Sequence, residues 1–178
     1  MTAPGELETG SIPSGVVPLV GFREWTIARE STRAPRLLSL FHPTSWPHDR
    51  PFAAMCLRPV SWPYRPVQPA HRGVPDEDCQ CGIYAFRRPE FESLNGATGP
   101  KVRGVVMGWG RYVLGALGWR AQYARLVALL DRVEDVDDGR LDQHDDDAVV
   151  ASMIAERYGV PIVPDADRIR FTPLPRAA

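Results

Sequence analysis

The chain has 178 residues, of which 44% are apolar, and a formal net charge of −1. This length fits one domain, and this apolar share is enough for a hydrophobic core. No apolar run approaches the roughly 20 residues of a membrane-spanning helix, and no apolar stretch with a basic lead marks a secretory signal. Three cysteines, an odd number, argue against a secreted disulfide scaffold. We therefore expect a cytoplasmic protein that does not engage a membrane.

Charge is unevenly distributed along the chain. Residues 20–125 hold fourteen arginines and Lys101 against eight acids, a surplus of seven positive charges. Residues 126–178 hold six arginines against twelve acids, a surplus of six negative charges. A basic body suits an acidic protein surface or nucleic acid. A protein partner is favoured over nucleic acid, because no run of five to eight residues is rich in lysine and arginine.

The N-terminal half predicts short strands separated by proline-rich loops. Residues 1–16 are mostly small and polar, which is typical of a disordered lead. Apolar and β-branched residues favour strands over 17–27 and 37–41. Eight prolines between residues 43 and 75 predict a long covering loop, because proline lacks a backbone donor. Within it only residues 52–57 resemble a regular element.

The C-terminal half mixes strand and helix patterns. Strands are predicted over 82–86 and 102–114, with a short helix over 87–94 between them. Apolar residues recur with the spacing of one helical face between residues 121 and 133 and favour a helix there, with a strand beginning at Trp119 as the alternative. The four residues on that face are Tyr123, Leu126, Val127 and Leu130.

The clearest predicted helix spans residues 146–158. Asp145 is its candidate N-cap, and Gly159 followed by Pro161 ends it. Together the patterns predict an α+β fold with a small, mostly antiparallel sheet, two or three helices and a long Pro-rich covering loop. The single domain is expected over residues 17–164, and residues 165–178 are expected to form an extended tail.

Cys79 and Cys81 form a C-x-C pair that leads into an apolar segment. With Cys56 and His71 they make a candidate set of four zinc ligands, because zinc prefers thiolate and imidazole in tetrahedral sites. The single residue between the paired cysteines fits this reading poorly, since zinc sites usually place two to four there. The favoured interpretation is a structural corner built from small thiols. Metal binding is the second interpretation and catalysis by Cys81 the third. No other cofactor is indicated, because the nearest matches to dinucleotide, phosphate-loop and calcium motifs lack required residues.

Two classes of function follow from these residues. The first is a non-enzymatic binding or regulatory module with an unknown protein partner. Aromatic and arginine residues are typical of interface centres, and four candidates occur here: Trp109, Arg111, Trp119 and Arg120. The second class is a small enzyme with a site between Cys81 and the strand at 104–111. A lowered thiol pKa would favour the enzyme.

Three spaced blocks of sequence resemble a set of uncharacterised actinobacterial proteins. The blocks are C-x-C-G-I-Y-A from Cys79, G-x-V-x-x-W-G-R from Gly104 and G-W-R-A from Gly118. This resemblance implies no activity. Residues 82–86 also resemble the strand that precedes a helix in ADP-ribosyltransferase-like enzymes. That second resemblance implies partners such as Arg23 or His42 and a later glutamate such as Glu92.

Overall fold

The computed structural model describes residues 17–30, 33–40, 44–56, 73–88, 100–134 and 144–164. Within these ranges the chain forms seven strands and one helix. In chain order they are β1 Leu19–Glu30, β2 Arg33–Ser39, β3 Phe52–Ala53, β4 Ile83–Phe86, β5 Lys101–Leu114, β6 Gly118–Glu134, α1 His144–Tyr158 and β7 Ile162–Val163. No helix in this part of the chain is long and apolar enough to cross a membrane.

The prediction of an α+β fold with two or three helices is wrong. All seven strands belong to one sheet, and α1 is the single helix among the described residues. The helix predicted over 121–133 is part of β6. Strand pairs are antiparallel except for β6 with β7, which is parallel. The helix predicted over 87–94 lies mainly outside the described residues, as do the 1–16 lead and the 165–178 tail.

β6 is a strand because its neighbours override its local composition. Alanine, leucine and arginine favour helices, but β6 pairs with β5, β4, β3 and β7. Its side chains are also buried on both faces: Leu129 belongs to the larger apolar cluster with Trp25, and Leu130 to a smaller one with Phe22. A strand covered on both faces loses the apolar–polar alternation by which strands are recognised.

Four strands form a closed circuit of pairs. β5 pairs with β1 on one side, from Leu19 opposite Gly108 to Thr26 opposite Lys101, and with β6 on the other. The first residues of β6 pair with β4, and β4 meets β1 through a single pair, Phe22 opposite Phe86. The circuit therefore ties the segment before β4 to the most extensively paired strands of the sheet.

Trp119 is buried where this circuit closes. Its side chain is 2% exposed, and its indole Nε1 donates a hydrogen bond to the Val20 carbonyl oxygen at 3.0 Å. Two glycines leave room for the ring. A Cβ at Gly21 would lie 2.8 Å from Nε1, and a Cβ at Gly108 would overlap the ring itself. Replacing a tryptophan packed in this way with alanine typically costs about 3–5 kcal/mol.

α1 covers one face of the sheet and confirms the clearest helix prediction. It begins two residues before the predicted start and ends at the predicted Tyr158. Gly159 has φ of 61°, and the Val160 N–H donates to the Ala155 carbonyl oxygen, as expected for a glycine-terminated helix. Ile154 is fully buried against the larger apolar cluster. The helix thereby fixes the loop that carries Trp46, which belongs to the same cluster.

Candidate metal centre

The segment before β4 is shaped by two turns. The Cys79 N–H donates to the Asp76 carbonyl oxygen at 3.1 Å, and the Asp78 N–H donates to Asp76 Oδ1 at 3.2 Å. An aspartate that accepts a hydrogen bond from the backbone two residues ahead is typical of a tight turn. Gly82 then adopts φ of 121°, a conformation that side-chain-bearing residues rarely adopt. These turns deliver Cys79 and Cys81 to the start of β4.

Cys56 reaches the same place from β3. Phe52 and Ala53 pair with β6, and the Ala54 N–H donates to the Gln122 carbonyl oxygen at 2.8 Å. These bonds direct the chain along β6 toward the turn before β4. Cys56 Sγ ends 3.7 Å from Cys79 Sγ, although 23 residues separate the two along the chain.

The three thiols form one half-buried cluster. Their Sγ atoms all lie within 4.8 Å of one another, and no disulfide joins them. A tetrahedral zinc site with Zn–S bonds of about 2.3 Å places its sulfur atoms about 3.8 Å apart. The 3.7 Å between Cys56 and Cys79 matches that spacing and is far longer than the roughly 2.05 Å of a disulfide. The cluster can hold a metal ion.

The side chains of Arg120 and Tyr84 donate hydrogen bonds to the backbone of the C-x-C pair. Arg120 lies on β6 opposite Tyr84 of β4, and its Nη1 donates to the carbonyl oxygens of Cys79 and Cys81, the latter at 3.1 Å. The Tyr84 hydroxyl donates to the Gln80 carbonyl oxygen at 2.6 Å. All three carbonyls therefore have fixed partners. This arrangement fixes the backbone that carries the Cys79 and Cys81 thiols.

Burial favours the neutral form of the Cys56 and Cys81 thiols. Burial raises the pKa of Cys56 to about 11, and its hydrogen bond with Cys79 adds to the effect. Burial also raises the pKa of the Cys81 thiol. A nucleophilic cysteine needs a lowered pKa, so these shifts oppose the thiol-enzyme prediction. A metal ion would reverse them by displacing the thiol protons.

Three of the four predicted metal ligands converge, and His71 lies outside the described residues. Of the four predicted interaction residues, Trp109 and Trp119 are buried, at 3% and 2% exposed. Arg111 is exposed, and Arg120 is half-buried on the C-x-C pair. Their role in binding a partner stays a prediction.

The residues implied by the ADP-ribosyltransferase resemblance are only partly described. Arg23 has a structural role: its Nη1 donates to the Tyr84 carbonyl oxygen at 2.5 Å and its Nη2 to Ser39 Oγ at 3.3 Å. Its guanidinium carbon also lies 5.2 Å from the Trp46 ring centroid. His42 and Glu92 lie outside the described residues.

Sequence reasoning missed Tyr84 as part of this site. The alternation of β4 could have indicated it, because Tyr84 is the exposed residue between the buried Ile83 and Ala85. An aromatic residue on the polar side of an alternating strand often meets a neighbouring side chain. The partner, Arg120, is distant in sequence and follows only from the strand register. In the comparisons with known proteins, no family model, no curated protein and no solved structure matches this chain.

Proposed function

We propose that the protein is a non-enzymatic binding module, one corner of which is fixed by a structural zinc ion bound to Cys56, Cys79 and Cys81. The observation that carries this proposal is the convergence of three Sγ atoms from two separate segments. Thiolate ligands select soft or borderline metals, and zinc is the usual ion of closed structural sites. His71, two residues before the described Gly73, is the fourth ligand that the sequence suggests.

Zinc in this position would join two weakly paired segments. β3 has only two residues, and β4 only four. Both pair with β6, but the chain between Ala54 and Ile83 contributes no strand among its described residues. An ion that binds only the folded arrangement adds its binding free energy to the stability of that arrangement. The ion would therefore stabilise the corner where the Pro-rich segment meets the sheet.

The binding role is supported by large side chains that are exposed on β4, on β5 and in the turn before β6. Tyr84 on β4 and Tyr112 on β5 are 45% and 53% exposed, and Leu117 in the turn before β6 is 76% exposed. Arg111 and Arg87 are exposed in the same part of the chain. Exposed aromatic residues interleaved with arginine are typical of protein interfaces. An acidic protein surface is the partner that this composition favours.

Metal analysis of the untagged protein tests the zinc site. We expect one zinc per chain, three thiols that react slowly with a thiol reagent, and faster reaction after chelation. Cys56→Ser, Cys79→Ser and Cys81→Ser should each lose zinc and lower the melting temperature. Protein that holds no metal after zinc loading, with melting temperature indifferent to chelator, would contradict the proposal.

Two histidine variants test the fourth ligand separately. His71→Ala should lower zinc affinity by 10-fold or more, about the effect of disturbing a metal site's ligand environment. His48→Ala is the matched control, because His48 is exposed and lies in another part of the described chain. Equal affinity in the two variants would remove His71 from the ligand set and leave the three thiolates as the protein's contribution.

A further inference from the structure

An open groove of about 610 Å³ lies between β2, the loop that follows it and the end of α1. Arginines from three separate segments line it: Arg36 of β2, Arg50 of the loop and Arg157 of α1. His48 lines it as well, and Asp49 is the one acid among the described residues that line it. Three arginines against one aspartate leave an excess of two positive charges among these side chains, before His48 is counted. The groove is therefore suited to an anion.

Arg36 of β2 and Arg157 of α1 line the same groove. Burial raises the pKa of the Tyr158 hydroxyl, and the positive charges of Arg157 and Arg36 oppose that shift. Arg157 is oriented by a hydrogen bond from its Nη1 to the Ala34 carbonyl oxygen at 3.1 Å. Its Nε is buried and has no acceptor among the described residues. Arg157 is thus held against the backbone of β2, and its Nε is enclosed and not open to the groove.

Apart from Ser45, the other described residues that line the groove are apolar. Trp46 and Phe52 stack with ring centroids 5.0 Å apart and planes inclined by 19°, and both line the groove. Met55 also lines it and is 62% exposed. Pro47 and Pro51 complete this part without backbone donors of their own. An inorganic anion would leave Phe52 and Met55 uncovered, whereas an anion with an apolar body would cover them.

We propose that this groove binds a small organic oxyanion, a carboxylate or a phosphate ester with an apolar body. The oxyanion accepts hydrogen bonds from Arg36 and Arg157, and Arg50 adds its charge at the rim. The apolar body lies along Phe52 and Met55. The volume falls within the usual range of about 300–1,000 Å³ for small-molecule sites. This site does not depend on the proposed zinc ion, although Met55 directly precedes Cys56.

Titration followed by NMR tests the proposal with four matched probes. Phenyl phosphate and phenylacetate are the two oxyanion arms, and 2-phenylethanol and 2-phenylethylamine are the neutral and cationic controls. We expect saturable shifts of the Trp46 and Phe52 ring signals with the oxyanions alone. Tighter binding of phenyl phosphate identifies a phosphate ester as the ligand class, and equal or tighter binding of phenylacetate identifies a carboxylate. Shifts with all four probes, or with none, would overturn the proposal.

Arginine variants locate the binding. Arg36→Met and Arg157→Met should each weaken oxyanion binding about 10-fold, as expected for the loss of one charge-assisted hydrogen bond. Arg157 also bonds the backbone, so Arg50→Met serves as a second test on an exposed side chain and should weaken binding several-fold. Arg88→Met, an exposed arginine outside the groove, should change nothing. Unchanged affinity in Arg36→Met and Arg50→Met would overturn the assignment, whatever the stability of Arg157→Met.

Discussion

The guanidinium carbon of Arg120 lies 5.8 Å from the centroid of the Tyr84 ring, on the outer side of the C-x-C pair. Both side chains donate hydrogen bonds to backbone carbonyls of residues 79–81. These contacts fix the backbone that carries two of the three thiols. Arg120 and Tyr84 are therefore positioning residues for the proposed ion and do not touch it.

Arg120→Met should weaken zinc binding by about 10- to 100-fold, the usual effect of removing a partner that orients metal ligands. Methionine keeps the apolar contact with Tyr84 but cannot donate to the Cys79 and Cys81 carbonyls. Competition with a chromophoric chelator measures the affinity. Arg88→Met is the control, because Arg88 is exposed and follows β4. Equal zinc affinity in the two variants would show that the carbonyl contacts do not orient the site.

Alkylation of the metal-free protein at a series of pH values tests the state of Cys56. Its pKa is raised from 9.0 to about 11, so the rate of modification at this residue should rise mainly above pH 9. Mass spectrometry after proteolysis assigns the rate to each cysteine. An inflection below pH 9 would indicate a stabilised thiolate and would revive the thiol-enzyme alternative.

The same shift predicts how stability depends on pH without metal. The folded state holds the Cys56 proton more tightly than the unfolded state, so this stabilising contribution is complete below pH 9 and is lost as pH rises toward about 11. Urea unfolding of the metal-free protein across this window measures the trend. In the Cys56→Ser variant the free energy of unfolding should fall less over this pH range. An equally steep fall in that variant would assign the trend to other groups.

Tyr158→Phe should lower the free energy of unfolding by about 2–4 kcal/mol, because two buried backbone groups lose their partner. The Tyr158 hydroxyl accepts a hydrogen bond from the Leu37 N–H at 3.2 Å and donates one to the Trp46 carbonyl oxygen at 2.9 Å. Urea unfolding gives the value. Tyr112→Phe, at an exposed tyrosine, should change stability by less than about 0.5 kcal/mol. Similar losses in both variants would contradict a connecting role for Tyr158.

Gly118→Ala should destabilise the fold by about 3 kcal/mol, because overpacking against a rigid neighbour is costly. A Cβ at Gly118 would overlap the Ala85 carbonyl oxygen of β4, a backbone atom that cannot move without disturbing the pairing of β4 with β6. Gly115→Ala is the control in the same turn, since the nearest atom to its added Cβ is 3.7 Å away. Matching melting temperatures for the two variants would contradict this close approach.

The sequence predicted β4 and β5 well, and the strand expected over 102–114 spans Lys101–Leu114. β4 alternates buried and exposed residues, and a strand over 82–86 was expected. The helix over 121–133 was predicted wrongly because β6 is buried on both faces at residues 128–130 and is rich in helix-forming residues. Only pairing with four other strands determines its conformation, and pairing between distant segments leaves no local pattern.

The candidate site was predictable in its chemistry but not in its geometry. Zinc's preference for thiolate and imidazole ligands suggested Cys56 and His71 as further ligands beside the C-x-C pair. The single residue between Cys79 and Cys81 argued against metal, because zinc sites usually place two to four residues between paired cysteines. That spacing says nothing about a third thiol, which here comes from the end of β3. The partner of Tyr84 depends on the register of β4 with β6, and the groove arginines come from three separate segments. Such sets are recognisable only after the chain is folded.

The most direct test of the central claim is X-ray absorption at the zinc edge of protein loaded with one equivalent of zinc. We predict three sulfur ligands at about 2.3 Å and one nitrogen ligand at about 2.0–2.1 Å, the distances of a closed structural site. The Cys56→Ser protein should lose one sulfur from this shell. A shell of oxygen and nitrogen alone, or a spectrum unchanged by Cys56→Ser, would contradict the zinc site.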